Sequence, residues 1–137
     1  MDIDDRPGPL RSPTLELGDD VTPLVSVRRW AGGELADLVD DDLDDCVLVV
    51  TELVANAYDH GHAPRRVRLR RSSEPCVVRI EVDDVSSERP TLGRSRLGPH
   101  RGRGLVLVAN LSEDWGVDHH PHGKTVWAEI PCALAAR

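Results

Sequence analysis

Phenylalanine is absent, and Trp30, Tyr58, Trp115 and Trp127 are the only aromatic residues in a chain of 137. A surface so poor in rings has little on which nucleobases stack, and the core has to be built mainly from Val, Leu and Ala. Lysine is nearly absent too: Lys124 stands alone, and the other 16 of the 17 basic side chains are arginine, a bias that reads as coding composition. The formal net charge of -7 excludes general attachment to nucleic acid or to an anionic membrane. No uninterrupted apolar run is long enough to span a bilayer, and the opening MDIDDRPGP lacks the apolar stretch of a secretory signal. Cys46, Cys76 and Cys132 are odd in number and have no CxxC spacing. That pattern predicts neither a disulfide framework nor structural zinc, and points to a reducing cytoplasm. The expectation is a soluble, cytoplasmic, single-domain protein that buries roughly two-thirds of its unfolded surface.

The most informative stretch present is LDDCVLVVTELVANAYDHG, from Leu43 to Gly61. Leu43, Val47, Val50, Leu53, Val54 and Ala57 fall on one arc of a helical wheel, as in a helix packed on a core. Glu52 and Asn56, one turn apart, lie beside that arc and can point into a cleft. The carboxamide oxygen of Asn56 is a hard, neutral ligand for magnesium, and the Glu52 carboxylate can take a proton from an attacking hydroxyl. The alternative for any such pair is a solvated helix side. Asp44 and Asp45, in the first turn, complement the helix dipole and carry no chemistry.

Around this helix the chain divides into a disordered lead over residues 1–13, a domain over 14–131 and a tail over 132–137. Thr14 to Leu17 predicts an edge strand. Thr22-Pro23 reads as the start of a helix carrying Leu24, Val27 and Trp30, broken or bent at Gly32-Gly33. A short amphipathic piece, Glu34 to Val39, leads into an acidic linker, Asp40 to Asp42. Arg66 to Arg71 and Cys76 to Asp83 alternate as strands around a turn at residues 72–75. Val85 to Arg101 has no periodicity and five arginines nearby, as a lid or an anion site would. Gly102-Arg103-Gly104 then opens a helix at LVLVANL, where backbone N–H groups can hold phosphate. Asp114 to His119 and Lys124 to Ile130 close the chain as two strands.

Gly123-Lys124-Thr125 is not a P-loop, because Asp118 stands at the position of its first glycine and a strand follows. Gly102-Arg103-Gly104 is not the dinucleotide fingerprint, whose third glycine position is Leu107. His119, His120 and His122 are as readily a solvent-exposed turn as metal ligands, since adjacent strand residues face opposite ways.

With TELVANAYDHG, IEVDDVSSERP, RGRGLVLVANL and GKTVWAEI in this order, the chain resembles the histidine-kinase-like (GHKL, or Bergerat) ATPase superfamily. More narrowly it resembles the anti-sigma regulatory factors, the serine-protein kinases of bacterial partner switching. The resemblance implies an α+β two-layer sandwich, its mixed, largely antiparallel sheet covered on one face by helices. It also implies ATP and Mg2+, with Glu52 as catalytic base and Asn56 as the magnesium ligand. Asp84, with Asp83 as fallback, would accept a hydrogen bond from the adenine amino group. Gly102 and Gly104, with Arg103 and Leu105 beside them, would close on the phosphates, and Thr125 would lie near adenine. The implied partners are a sigma factor and a STAS-type anti-anti-sigma protein, with no direct contact to nucleic acid or membrane. Homodimers are usual in that family, and the helix around Val27 and Trp30 is either an interface or ordinary core. Ser86 and Glu88 depart from the first glycine box. The alternative function is therefore a non-catalytic, protein-binding regulatory module with a degenerate nucleotide pocket.

Overall fold

The computed structural model describes residues 12–18, 24–85 and 106–136. Within these, β1 (Thr14–Leu17), α1 (Leu24–Glu34), α2 (Asp40–His60), β2 (Arg65–Ser73) and β3 (Cys76–Asp84) follow in order. A helical segment over 106–111 then leads to β4 (Asp114–His120) and β5 (Gly123–Pro131). The five strands form one sheet in the order β1-β2-β3-β5-β4, and every described pairing is antiparallel.

Strand alternation divides the sheet into two unlike faces. Val67 and Leu69 of β2, Val78, Ile80 and Val82 of β3, and Val126, Ala128 and Ile130 of β5 turn inward and are buried. Cys46, Val49, Val50, Leu53, Val54 and Ala57 of α2 meet them in one core, and α1 adds Val27 and Ala31. Val27 is fully buried, and Trp30, half-buried, packs against the same cluster. The other face carries a charge ladder: Arg70 Nε donates to Glu81 Oε1 at 3.1 Å, and Arg79 bridges Glu81 at 2.7 Å and Glu129 at 2.9 Å.

Several boundaries differ from the sequence expectation for identifiable reasons. α2 begins at Asp40, so the expected acidic linker forms its first turn, where three carboxylates meet the positive end of the helix dipole. α1 runs through Gly32-Gly33 to Glu34, so of the break or bend expected there the break does not occur. The expected amphipathic piece after it is a turn, with Leu35 and Leu38 buried as single anchors.

The cysteine expectation is overturned. Cys76 and Cys132 are disulfide-bonded, with Cα atoms 5.1 Å apart, and Cys46 is the free, buried thiol. Val77 of β3 pairs with Pro131 of β5, so the two cysteines lie opposite each other one step beyond the ladder. An odd count hid a pair that strand register brings together, and the premise for a reducing compartment goes with it. The residues after Cys132 are stitched down as well. Val39 N donates to Ala133 O, Ala135 N to Asp37 O and Ala133 N to Asp42 Oδ2. Arg71 holds Asp37 at 2.8 Å, and that hydrogen bond keeps the Asp37 carboxyl below its ordinary pKa. Among the described residues, no helix is long and apolar enough to cross a membrane.

Candidate functional site

α2 carries Glu52 and Asn56 one turn apart. Asn56 is buried, and its Nδ2 has no hydrogen-bond partner among the described residues. A buried N–H group without an acceptor is costly, and an acceptor such as a phosphate oxygen would relieve that cost. The orphaned nitrogen therefore fits phosphate, and the carboxamide oxygen is a hard ligand of the kind magnesium takes. Glu52 is half-buried and lines a groove of about 440 Å³ between α1 and α2, with Arg28, Asp44 and Thr51.

The C-terminal end of α2 is fastened to the end of β3. Gly61 N donates to Ala57 O at 2.9 Å. Arg65 caps the helix by donating from Nε to Ala57 O at 3.1 Å and from Nη2 to Gly61 O at 2.9 Å. Its guanidinium lies 4.2 Å from the Tyr58 ring centroid, so a cation meets the negative end of the helix dipole. Val85 N donates to His62 O. Gly61 leaves no room for a side chain: a Cβ there would stand 2.6 Å from Ala57 O and 2.7 Å from Asp84 Cβ.

Adjacent residues of β3 then part company. Asp84 continues the inward stripe of Val78, Ile80 and Val82 and is buried. It meets Lys124, whose Nζ lies 3.0 Å from Asp84 Oδ1, with side-chain exposures of 1% and 0%. Asp83 faces the open side, where it accepts hydrogen bonds from Arg66 Nε at 3.0 Å, Arg68 Nη2 at 3.2 Å and Thr125 Oγ1 at 2.6 Å. His120 Nε2 lies 2.8 Å from the same hydroxyl. Thr125 therefore bonds to Asp83 rather than to Asp84, although both Asp84 and Thr125 line one cavity. Thr125 registers with Asp83 and Lys124 with Asp84, and neighbouring strand residues point to opposite faces.

A cavity of about 440 Å³ at this end of the sheet is lined by Asp83, Asp84, Val85, Gly123, Lys124 and Thr125 among others; neither Glu52 nor Asn56 lines it. The helix half of the site and the sheet half are thus separate in the described residues and meet through Gly61. Gly102, Arg103, Gly104 and Leu105, with Arg101, Ser86 and Glu88, lie outside the described residues.

Sequence reasoning missed Lys124 and Arg65, although alternation held the signal. Lys124 extends the inward set Val126, Ala128 and Ile130, and Arg65 extends Val67 and Leu69, as Asp84 extends its own strand. One step beyond the Arg66 and Asp83 pairing, register sets Arg65 opposite Asp84, which pairs with Lys124 on its other side. Three strands therefore end their inward stripes in one row of charge.

A family model described as a histidine kinase-like ATPase domain matches residues 19–130. No curated protein matches the chain. Among solved structures, the chain is similar to the RsbU and RsbW domains of Rv1364c from Mycobacterium tuberculosis. That match has 22% identity and a TM-score of 0.68, over 93% of this chain and 34% of that one. The chain is also similar to the blue-light activated histidine kinase of Erythrobacter litoralis EL346, at 25% identity and a TM-score of 0.50, over 69% and 32%. The chain spans about a third of the length of each. The first likeness establishes the fold.

Proposed function

Because the chain belongs to the histidine kinase-like ATPase domain family, we propose that it binds ATP with magnesium and acts as an anti-sigma-type serine/threonine-protein kinase. Its substrate in this reading is a serine of a STAS-type anti-anti-sigma protein. By alternating between that protein and a sigma factor, as a homodimer, it regulates transcription. The observation that carries the reading is the buried Asn56, its carboxamide nitrogen unpartnered among the described residues, one turn from Glu52. The four motifs quoted above support the narrower choice of an anti-sigma factor.

Catalysis here is positioning and charge stabilisation. Asn56 would hold magnesium through its carboxamide oxygen. When bound, the ion supplies neutralisation of phosphate charge. Glu52 takes the proton of the serine hydroxyl as its oxygen bonds to the γ-phosphorus and the bond to the ADP oxygen breaks. Asp84, packed behind Gly61, marks the base end, and Gly102, Arg103, Gly104 and Leu105 would close over the phosphates.

A second reading, a binding module that works without nucleotide, is favoured by one observation: Asp84 is already held by Lys124. Calorimetric titration with Mg-ATP separates the two. Saturable binding that Asn56→Ala weakens supports the kinase, and no heat at millimolar ATP supports the module. Glu52→Gln should then bind ATP as the wild type does, yet transfer phosphoryl to the partner about 10²–10⁴-fold more slowly. Undiminished transfer would remove Glu52 from the mechanism.

A further inference from the structure

A cavity of about 890 Å³ lies beside the end of β2, with Leu35, Leu69, Leu134 and Cys76 in its lining; neither Glu52, Asn56 nor Asp84 lines it. A space of that size holds a molecule of a few hundred daltons. Cys76 belongs to the lining and its disulfide partner Cys132 does not. Cys76 is therefore the half of the bond that an occupant of the cavity meets.

A disulfide in a cavity wall is an electrophile, and the nucleophile it takes is a thiolate. Attack on Cys76 Sγ forms a new S–S bond to the entering sulfur. The bond between Cys76 and Cys132 breaks, and its electron pair leaves on Cys132 Sγ, which then takes a proton from water. A second thiol displaces the first from Cys76 and leaves with it as a small disulfide, so the protein disulfide is the oxidant throughout. The third cysteine of the chain cannot begin this exchange. Cys46 is fully buried, and burial pushes its thiol up to about 12, which keeps it protonated and unreactive.

Cys132 is also the root of a strap across the entry to α2. Leu134 bridges antiparallel to Leu38, Val39 N donates to Ala133 O at 2.9 Å, and Ala133 N donates to Asp42 Oδ2 at 2.8 Å. Val39 stands at the N-cap of α2 without a side-chain hydrogen bond of its own, so the strap ties down the start of that helix. Ala133, Leu134 and Ala135 are exposed, and hydrogen bonds open to water hold weakly once the covalent root is gone.

We infer that the cavity admits a small thiol, which opens the disulfide at Cys76 and releases the strap from α2. The fold thereby carries a thiol-operated latch on the helix that bears Glu52 and Asn56. The latch requires no nucleotide site and stands or falls apart from the proposed function.

The test is incubation of the full, folded chain with reduced glutathione, stopped at early times with N-ethylmaleimide, with the modified cysteines located by mass spectrometry. Glutathione on Cys76 with maleimide on Cys132 should exceed the reverse arrangement by about tenfold, because the sulfur that can be reached is the one attacked. Glutathione on Cys132 in equal or greater amount overturns the assignment to Cys76. The rate of opening should rise in proportion to glutathione; a rate that levels off shows that the bond is reached only from an unfolded chain, and overturns the cavity as the entry. In the opened and alkylated chain the amides of Ala133 and Ala135 should exchange about tenfold faster or more, while those of β3 and β5 keep their protection. Unchanged exchange at both amides overturns the latch.

Discussion

Gly61 has no side chain in a place where the end of α2 and the carboxylate of Asp84 compete for the same space. Its backbone is extended, with φ of -114° and ψ of 179°, a conformation any residue adopts, so the constraint on this position is steric rather than conformational. A methyl group would press on Ala57 O and on the Cβ and Cγ of Asp84. One of these contacts is backbone, and Asp84 is tied to Lys124, so neither side yields easily. Overpacking of this kind costs about 1–3 kcal/mol. Gly61→Ala should therefore lower the urea midpoint by roughly 1 M, taking a slope of about 1–3 kcal/mol per molar urea. An unchanged midpoint would mean that α2 and β3 are not in contact through Gly61.

At the level of the element, α2 and α1 show opposite uses of small and buried residues. Cys46 sits inside α2 with no exposure. Burial, and then the carboxylates Asp42 and Asp45, push its thiol up from 9.0 to about 12. A raised pKa means that the folded state holds the proton more tightly than the unfolded one. Stability from this group is then complete below about pH 9 and is lost as the pH rises toward about 12. Cys46→Ala should flatten that alkaline decline in midpoint, whatever it does to stability at neutral pH; a decline of equal slope in the variant would place its cause elsewhere. In α1, by contrast, Gly33 is exposed and a Cβ there would meet nothing within 4 Å. Gly33→Ala should raise stability by about 0.5–1 kcal/mol, because alanine loses less backbone entropy in a helix. That corresponds to a melting temperature about 2–4 °C higher, and a lower one would mean that the position needs glycine for another reason. The sequence was readable wherever a period was regular: the apolar face of α2, the two hairpins, and the apolar stripes of β2 and β3. It was misread where charge obscured a period. Asp40 to Asp42 looked like linker although a helix dipole welcomes them, and Lys124 and Arg65 went unassigned although each stands at the inward end of its stripe.

At the level of the whole molecule, the Cys76–Cys132 bond closes the fold by joining the start of β3 to the residue after β5. Those strands are already paired over eight residues, so the bond adds little new contact in the folded state; its main action is on the unfolded chain. A closure spanning 56 residues of separation restricts the denatured ensemble by about 4 kcal/mol on chain-entropy grounds, with measured effects commonly about 2–4 kcal/mol. For a domain of this size that is a large share of a total stability of about 5–15 kcal/mol. The bond also fixes the origin of the segment that binds Val39, Asp37 and Asp42 at the entry to α2, so its loss should loosen that corner before the sheet. Cys132→Ser should therefore lower unfolding stability by about 2–4 kcal/mol. A thiol reductant should produce the same shift in the wild type and none in the variant. Exchange protection should fall first at the amides of Val39, Ala133 and Ala135, with those of β3 and β5 retained. Titration of the denatured, unreduced wild type should find a single thiol, that of Cys46. A midpoint indifferent to reductant, or three thiols without it, would show that strand pairing alone holds the two cysteines together and that the closure contributes nothing to the stability of the fold.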